Sequence, residues 1–207
     1  ALESLGYEVI REYEDFELRQ YPAHLVAETL VDGPMNEASN TAFRRLFDYI
    51  SGANRAGGKV AMTTPVTVSE AGPDNPGQGE KIAMTAPVVT APGGSGPDGE
   101  LRYAVQFVMP AEYERETLPV PVDDSVKLRE IAPRTVAVHR YRGSWSEQRY
   151  RERVERLRSA LTAAGLEVTG EPELARYDPP FMPWFMRRNE VLIEIAAPAA
   201  AADGRAS

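Results

Sequence analysis

The chain repeats itself at a spacing of 110 residues, and this repeat limits its fold more than any other feature. Phe16-Glu-Leu-Arg-Gln-Tyr21 is echoed by Val126-Lys-Leu-Arg-Glu-Ile131, the apolar stretch around Val26 by Thr135 to Arg140, and Gly33 by Gly143. After each of these glycines comes a segment of helical periodicity. One pattern used twice predicts two similar halves, about 7–110 and 125–196, related by an approximate two-fold axis inside a single domain, 1–196. A chain of 207 residues is long enough to bury one core of that kind.

Within each half the alternation of apolar and polar residues marks the strands. Tyr7–Tyr13 and Phe16–Tyr21 read as short strands turning at Glu14-Asp15, and His24–Val31 as a third that ends at Gly33-Pro34. A helix is predicted from about Met35 to Ile50, with Ala42, Phe43, Leu46, Phe47 and Ile50 on its apolar face and Gly52 as its stop. Leu101–Met109 reads as a central strand, and the acidic stretch Ala111–Asp124 as an exposed seam between the halves. The second helix carries the stripe Tyr150, Val154, Leu157, Leu161 and Ala164 and closes at Gly165. Its many arginines, interleaved with Glu152 and Glu155, read as a solvated face. Ser144 and Glu147 have capping-box spacing, and Trp145 reads as a staple on the first turn. Glu173–Tyr177 and Asn189–Ala196 are the closing strands, and the Ala-rich stretch 197–207 is expected to be disordered.

A second, shorter repeat lies in the first half. Lys59–Val66 reads KVAMTTPV and Lys81–Val88 reads KIAMTAPV, differing only at Val60/Ile82 and Thr64/Ala86. Proline restricts its predecessor to extended geometry, so each copy is predicted as a strand ended by Pro65 or Pro87. The turn-rich loop Ser69–Glu80 would join them as a long-looped antiparallel hairpin, and APGGSGPDGE after Val89-Thr90 reads as a second flexible loop. The sum is an α+β fold whose antiparallel strands close towards a distorted barrel flanked by two main helices.

Composition removes several functions. No cysteine is present, so disulfides, thiol catalysis and cysteine-ligated metal are excluded. With His24 and His139 alone, a histidine-rich metal site is not expected. A net charge of −8 argues against a nucleic-acid partner. No run is long enough to span a membrane, and no leader sequence is visible, which makes the cytoplasm the expected compartment. The phosphate-loop, nucleophile-elbow and zinc-protease motifs are missing, and Ser144 and Ser146 have no evident base, so a binding protein is expected rather than an enzyme.

Binding chemistry concentrates in two places. Phe181-Met-Pro-Trp-Phe-Met186 packs Phe181, Met182, Trp184, Phe185 and Met186 into six residues. Such a loop is either a lid on the core or one wall of an apolar groove, because methionine and aromatic side chains adapt to flat ligands. Arg187 and Arg188 follow and would offer guanidinium groups at the rim to a ligand's carboxylates. The opposite wall would be the first helix, where Phe43 and Phe47 share a side, flanked by Arg44 and Arg45, with Tyr177 and Trp145 as weaker contributors. Met62 and Met84 read as core residues, His139 as structural, and Glu190 as a charge at the rim or strand edge.

Taken together, KIAMTAPV, FELRQYP, YISGAN and Arg188-Asn189-Glu190-Val191 resemble the SOUL haem-binding proteins, over roughly residues 6 to 196. The resemblance implies a duplicated α+β barrel, related in shape to the small-molecule-sensing domains of bacterial regulators. It also implies non-covalent binding of haem b or another porphyrin in a hydrophobic groove beside the first helix, by a buffer, carrier or sensor; the residues do not fix the oligomeric state, a monomer being favoured. Phe43, Leu46 and Phe47 would form one side of that groove and Tyr177 to Met186, with Arg188, the other. Where family members carry a histidine discussed as an axial ligand, this chain has Gln20, and the nearest imidazole is His24. A glutamine there implies a tetrapyrrole held by apolar contact. The alternative reading is a binding module for another hydrophobic small molecule.

Overall fold

The computed structural model describes residues 3–55, 79–178 and 181–198. In chain order the elements are β1 (Glu3–Ser4), β2 (Glu8–Glu12), β3 (Glu17–Tyr21), β4 (His24–Asp32), α1 (Met35–Ile50), β5 (Asn54–Arg55), β6 (Thr85–Ala86), β7 (Val88–Ser95), β8 (Leu101–Val108), β9 (Val120–Pro121), β10 (Val126–Ile131), β11 (Arg134–Arg142), α2 (Glu147–Ala163), β12 (Glu173–Arg176), a 3-10 turn (Trp184–Met186) and β13 (Arg188–Glu194). Nine strands form one curled antiparallel sheet in the order β10-β4-β8-β7-β12-β13-β11-β3-β2. The sheet stays open as a half-barrel, with β10 and β2 at its edges.

Apart from β2, the strand order is a palindrome. Exchanging β3 with β10, β4 with β11, β7 with β12 and β8 with β13 gives the same order backwards. Register follows the exchange: Val26 faces Val108 as Val136 faces Glu194, and Thr90 faces Val105 as Leu174 faces Val191. Thr90 and Leu174 also face each other, so the pseudo-two-fold axis runs through that pair. Each first strand lies in the other half's part of the sheet, β3 beside β11 and β10 beside β4. Gly33 and Gly143, at φ 113° and 134°, turn the chain from strand into helix in a region open to glycine.

Both helices cover one face of the sheet. α1 packs Ala42, Leu46, Tyr49 and Ile50 on Ala27, Val105 and Phe107, and α2 packs Val154, Leu157 and Leu161 on Leu18, Ala137, Val191 and Ile193. Side chains alternate across a strand, so the intervening residues Val89, Val136, Val138, Ala175 and Leu192 form a third cluster on the other face, packed against Leu5, Tyr7 and Tyr177.

Three local expectations change. The first copy of the shorter repeat lies outside the described residues. The second copy is not a continuous strand: Thr85–Ala86 pairs in parallel with Glu3–Ser4, and a cis Ala86–Pro87 bond separates it from the copy's last residue, Val88, which starts β7. Pro87 therefore precedes a strand instead of ending one. That strand runs to Ser95 through the glycines expected to be a loop, because a register shift between Pro92 and Ser95 absorbs them. The cap of α2 is Ser146, whose hydroxyl accepts the Arg149 N–H, and not Ser144. The connection 111–124 is mostly exposed, as expected, and is pinned at Leu118, which is buried, and at Pro119, whose carbonyl accepts the Tyr49 hydroxyl. Of the Ala-rich end, 199–207 lies outside the described residues.

Candidate functional site

α1 meets the sheet through residues spaced three and four apart, which leaves one flank turned sideways. Phe43 and Phe47 occupy that flank, stacked with ring centroids 5.9 Å apart and respectively 39% and 48% exposed. Phe43 also sets its edge on buried Phe107, 5.3 Å away. Next to them the sheet supplies a floor of Val88, Thr90 and Val105, with Met84 and Ala86 from the segment before β7. Across the floor stand Trp145 from the β11–α2 turn and Arg176, Tyr177, Asp178 and Phe181 from the end of β12 and the loop beyond. The result is an apolar groove of about 490 Å³, within the ~300–1,000 Å³ of small-molecule sites.

The groove brings together only part of the expected set. Phe43, Phe47, Tyr177 and Phe181 line it. Leu46 does not: it is fully buried against the sheet, because one helical position rotates it off the Phe43/Phe47 flank and into the core. Arg44 is exposed and outside the lining, as are Trp184, Phe185 and Met186; Met182 is half-buried and also outside it. Gln20 lies on β3, away from the groove, and accepts a hydrogen bond from the Thr135 hydroxyl. His24 lines a separate cleft with Glu3, Leu5, Tyr113 and Glu130, and burial lowers its pKa. His139 is buried, with Nδ1 2.6 Å from the Asp15 carbonyl and Nε2 beside Arg153. Neither histidine lines the groove.

The rim arginines are placed differently from expectation. Arg188 reaches the carboxylate of Glu190 at 2.9 Å and lies 4.2 Å over the Tyr177 ring. Arg187 stacks 4.7 Å from Trp145 and donates Nε–H to the Met182 carbonyl. Glu190 is no rim charge. It is fully buried behind the groove floor, where Arg19 grips both its oxygens at 2.8 Å. Burial would raise its pKa, but the bonds from Arg19, Tyr177 and Arg188 outweigh that and hold it near 2. This network fixes the far side of Tyr177, which presents itself to the groove. A charge at the start of a strand gave no hint of a partner 171 residues away.

Two lining residues were undervalued or missed. Trp145 is a wall of the groove rather than a staple, held between the guanidinium groups of Arg176 and Arg187 at 4.8 and 4.7 Å. Arg176 gave no signal, because an arginine ending the short alternating strand ELAR reads as an outward-facing residue. The pseudo-two-fold also produces a second, more polar hollow beside α2, lined by Tyr150, Arg151, Val154 and Arg158 with Pro92 and Pro172 from the sheet side. Arg158 there stands where α1 has Phe47.

A sequence model described as SOUL heme-binding protein matches residues 2–75 and 71–194. The chain belongs to the SOUL heme-binding protein family. This SOUL protein is 30% identical over 162 residues to Heme-binding protein 1 of Sus scrofa, covering 78% of this chain and 74% of that one. It is 29% identical over 177 residues to Heme-binding protein 1 of Xenopus tropicalis, covering 85% and 81%. Among solved structures it resembles the EcmrR C-terminal domain, with a TM-score of 0.59 at 11% identity, covering 92% of this chain and 98% of that one. A hydrolase from Listeria innocua matches at 0.55 and 14% identity, covering 90% and 94%. Both likenesses concern the fold. Among the described residues no helix is long and apolar enough to cross a membrane, and no group of three or more His, Asp or Glu could hold a metal ion.

The SOUL groove suits a flat apolar group: its walls are aromatic, its floor is Val, Ala and Thr with one thioether, and it is open on one side. With no imidazole in the lining, a tetrapyrrole would be held by ring contact with Phe43, Phe47, Trp145 and Tyr177. The bound group would supply its own redox or optical chemistry, while the protein would supply burial and orientation.

Proposed function

We propose that this protein binds haem b or a related porphyrin, non-covalently, in the groove between α1 and the Trp145/Tyr177/Phe181 wall, and serves as a buffer, carrier or sensor. The observation that carries the reading is an apolar groove whose two stacked phenylalanines stay half exposed, in a chain whose family and relatives are named for haem. Large apolar side chains gathered at an open hollow mark a site for an apolar ligand. The same reading takes the protein as a cytoplasmic monomer without a nucleic-acid partner.

Titrating the protein with haemin while following the Soret band is the direct test. A saturable shift is expected, weakened about tenfold or more by Phe47→Arg, which copies the residue found in the second hollow. His24→Ala should leave the titration unchanged, because His24 lines another cleft. A haemin spectrum that does not respond to Phe47→Arg would defeat the assignment of the groove. The lack of a lining histidine also supports a second reading, a flat hydrophobic ligand other than a porphyrin; no detectable binding of either haemin or metal-free porphyrin would favour it.

A further inference from the structure

Arg176 sits in the groove without a counter-charge. Among the described residues no carboxylate forms an ion pair with it, and its Nε is buried without a hydrogen-bond partner. Arg134 and Arg188 also have an unpartnered Nε, but their other nitrogens reach Glu173 and Glu190. The groove's one carboxylate, Asp178, accepts the backbone N–H of Arg188 instead. Arg176 has only the Trp145 ring on one side and the neutral phenol of Tyr141 nearby, and burial lowers its pKa to about 10. A buried guanidinium costs free energy unless an anion meets it.

The pseudo-symmetric counterpart sharpens the point. Pro92 takes the place of Arg176 in the second hollow, and the arginines there, Arg151 and Arg158, are paired with Glu147 and Glu155 of their own helix. The unpaired cation thus belongs to one groove only, the one with the aromatic wall.

We infer that Arg176 is the anion-binding residue of this groove, and that the ligand is a flat apolar molecule whose carboxylate seats on Arg176 beside Trp145. Its ring system lies along Phe43 and Phe47, and its acid end meets the guanidinium, a geometry that arginine and carboxylate complete through two parallel hydrogen bonds. This rests on the groove being a binding site and not on the ligand being a tetrapyrrole.

The test compares two probes that differ only at the head group, pyrenebutyric acid and pyrenebutanol, on the full chain and on Arg176→Met. The full chain should bind the acid about tenfold or more tighter than the alcohol. In Arg176→Met the two affinities should agree within about twofold. The melting temperature of ligand-free Arg176→Met should equal or exceed that of the parent, since the change removes an unpaired, half-buried cation and keeps an apolar stem. An acid preference that survives Arg176→Met, or no preference or no binding in the parent, overturns the inference; so does a destabilised variant, which would make Arg176 structural. Haemin failing to bind while the acid preference persists would remove the tetrapyrrole reading and leave this one standing.

Discussion

Protonation of Glu190 would take from the fully buried Arg19 one of its two carboxylate partners and leave it Glu17 alone, so this carboxylate ties stability to pH. Its folded pKa, near 2, lies below its ordinary 4.5. The stabilisation is therefore complete above about pH 4.5 and is lost as pH falls towards 2, amounting to about 3 kcal/mol over the window. Urea unfolding at a series of pH values should show that slope, and Glu190→Gln should flatten it. The same variant should lose about 1.5–3 kcal/mol at neutral pH, because it removes one of the two carboxylates that pair with the buried Arg19 guanidinium. His139 acts in the same direction nearer neutrality. Burial holds its pKa below 6.5, so the folded state keeps it neutral, and the stability it gives is full above 6.5 and declines as pH falls below. Neither effect was legible in the sequence, where Glu190 looks like a strand-end charge and His139 like any strand histidine. What decides both is tertiary: Arg19 on β3 reaches Glu190, while His139 is buried between the β2–β3 turn, at Asp15, and α2, at Arg153.

α1 has two faces that mutation should separate. Leu46→Ala should cost roughly 2–5 kcal/mol, since it opens a cavity in the core. Phe47→Ala should cost about 1 kcal/mol or less, because half of its ring already faces solvent, yet should weaken ligand binding. Thermal melts and haemin titrations on both variants measure the contrast. Ser146→Ala should cost about 1 kcal/mol by removing the cap of α2, and Ser144→Ala close to nothing. The helices were readable because fourfold apolar spacing is a strong local signal, and α1 runs from Met35 to Ile50 as its periodicity predicts. The groove was readable only as a pairing of aromatic segments. Leu46 shares the apolar spacing of Phe43 and Phe47, and only packing against β4 and β8 shows which of the three turns inward. β7 was hidden by its own glycines and prolines, which mark a turn in isolation and a bulged strand when β8 lies beside them.

Across the whole molecule, duplication does not mean independence. Each half lends its first strand to the other and the two meet at β7 and β12, so 1–110 and 111–207 expressed apart should each lose both outer pairings and the central one, stay largely unfolded by circular dichroism, and restore the sheet on mixing. The intact chain should unfold in one urea transition. The duplication itself was legible from the echoed segments and the two glycines. The exchange of first strands was not, because local pattern says where a strand is and not which neighbour it chooses.

That exchange also puts a delay into the protein's birth. β3 cannot find β11 until Arg134, the partner of Tyr21, has left the ribosome. At ~5–20 residues per second the wait is roughly 5–25 s. For that interval Leu18 and Tyr21, both sealed in the finished protein, travel uncovered on the nascent chain. A trigger-type chaperone able to hold such a segment should raise the yield of newly made protein far more than it helps a denatured full-length chain refold.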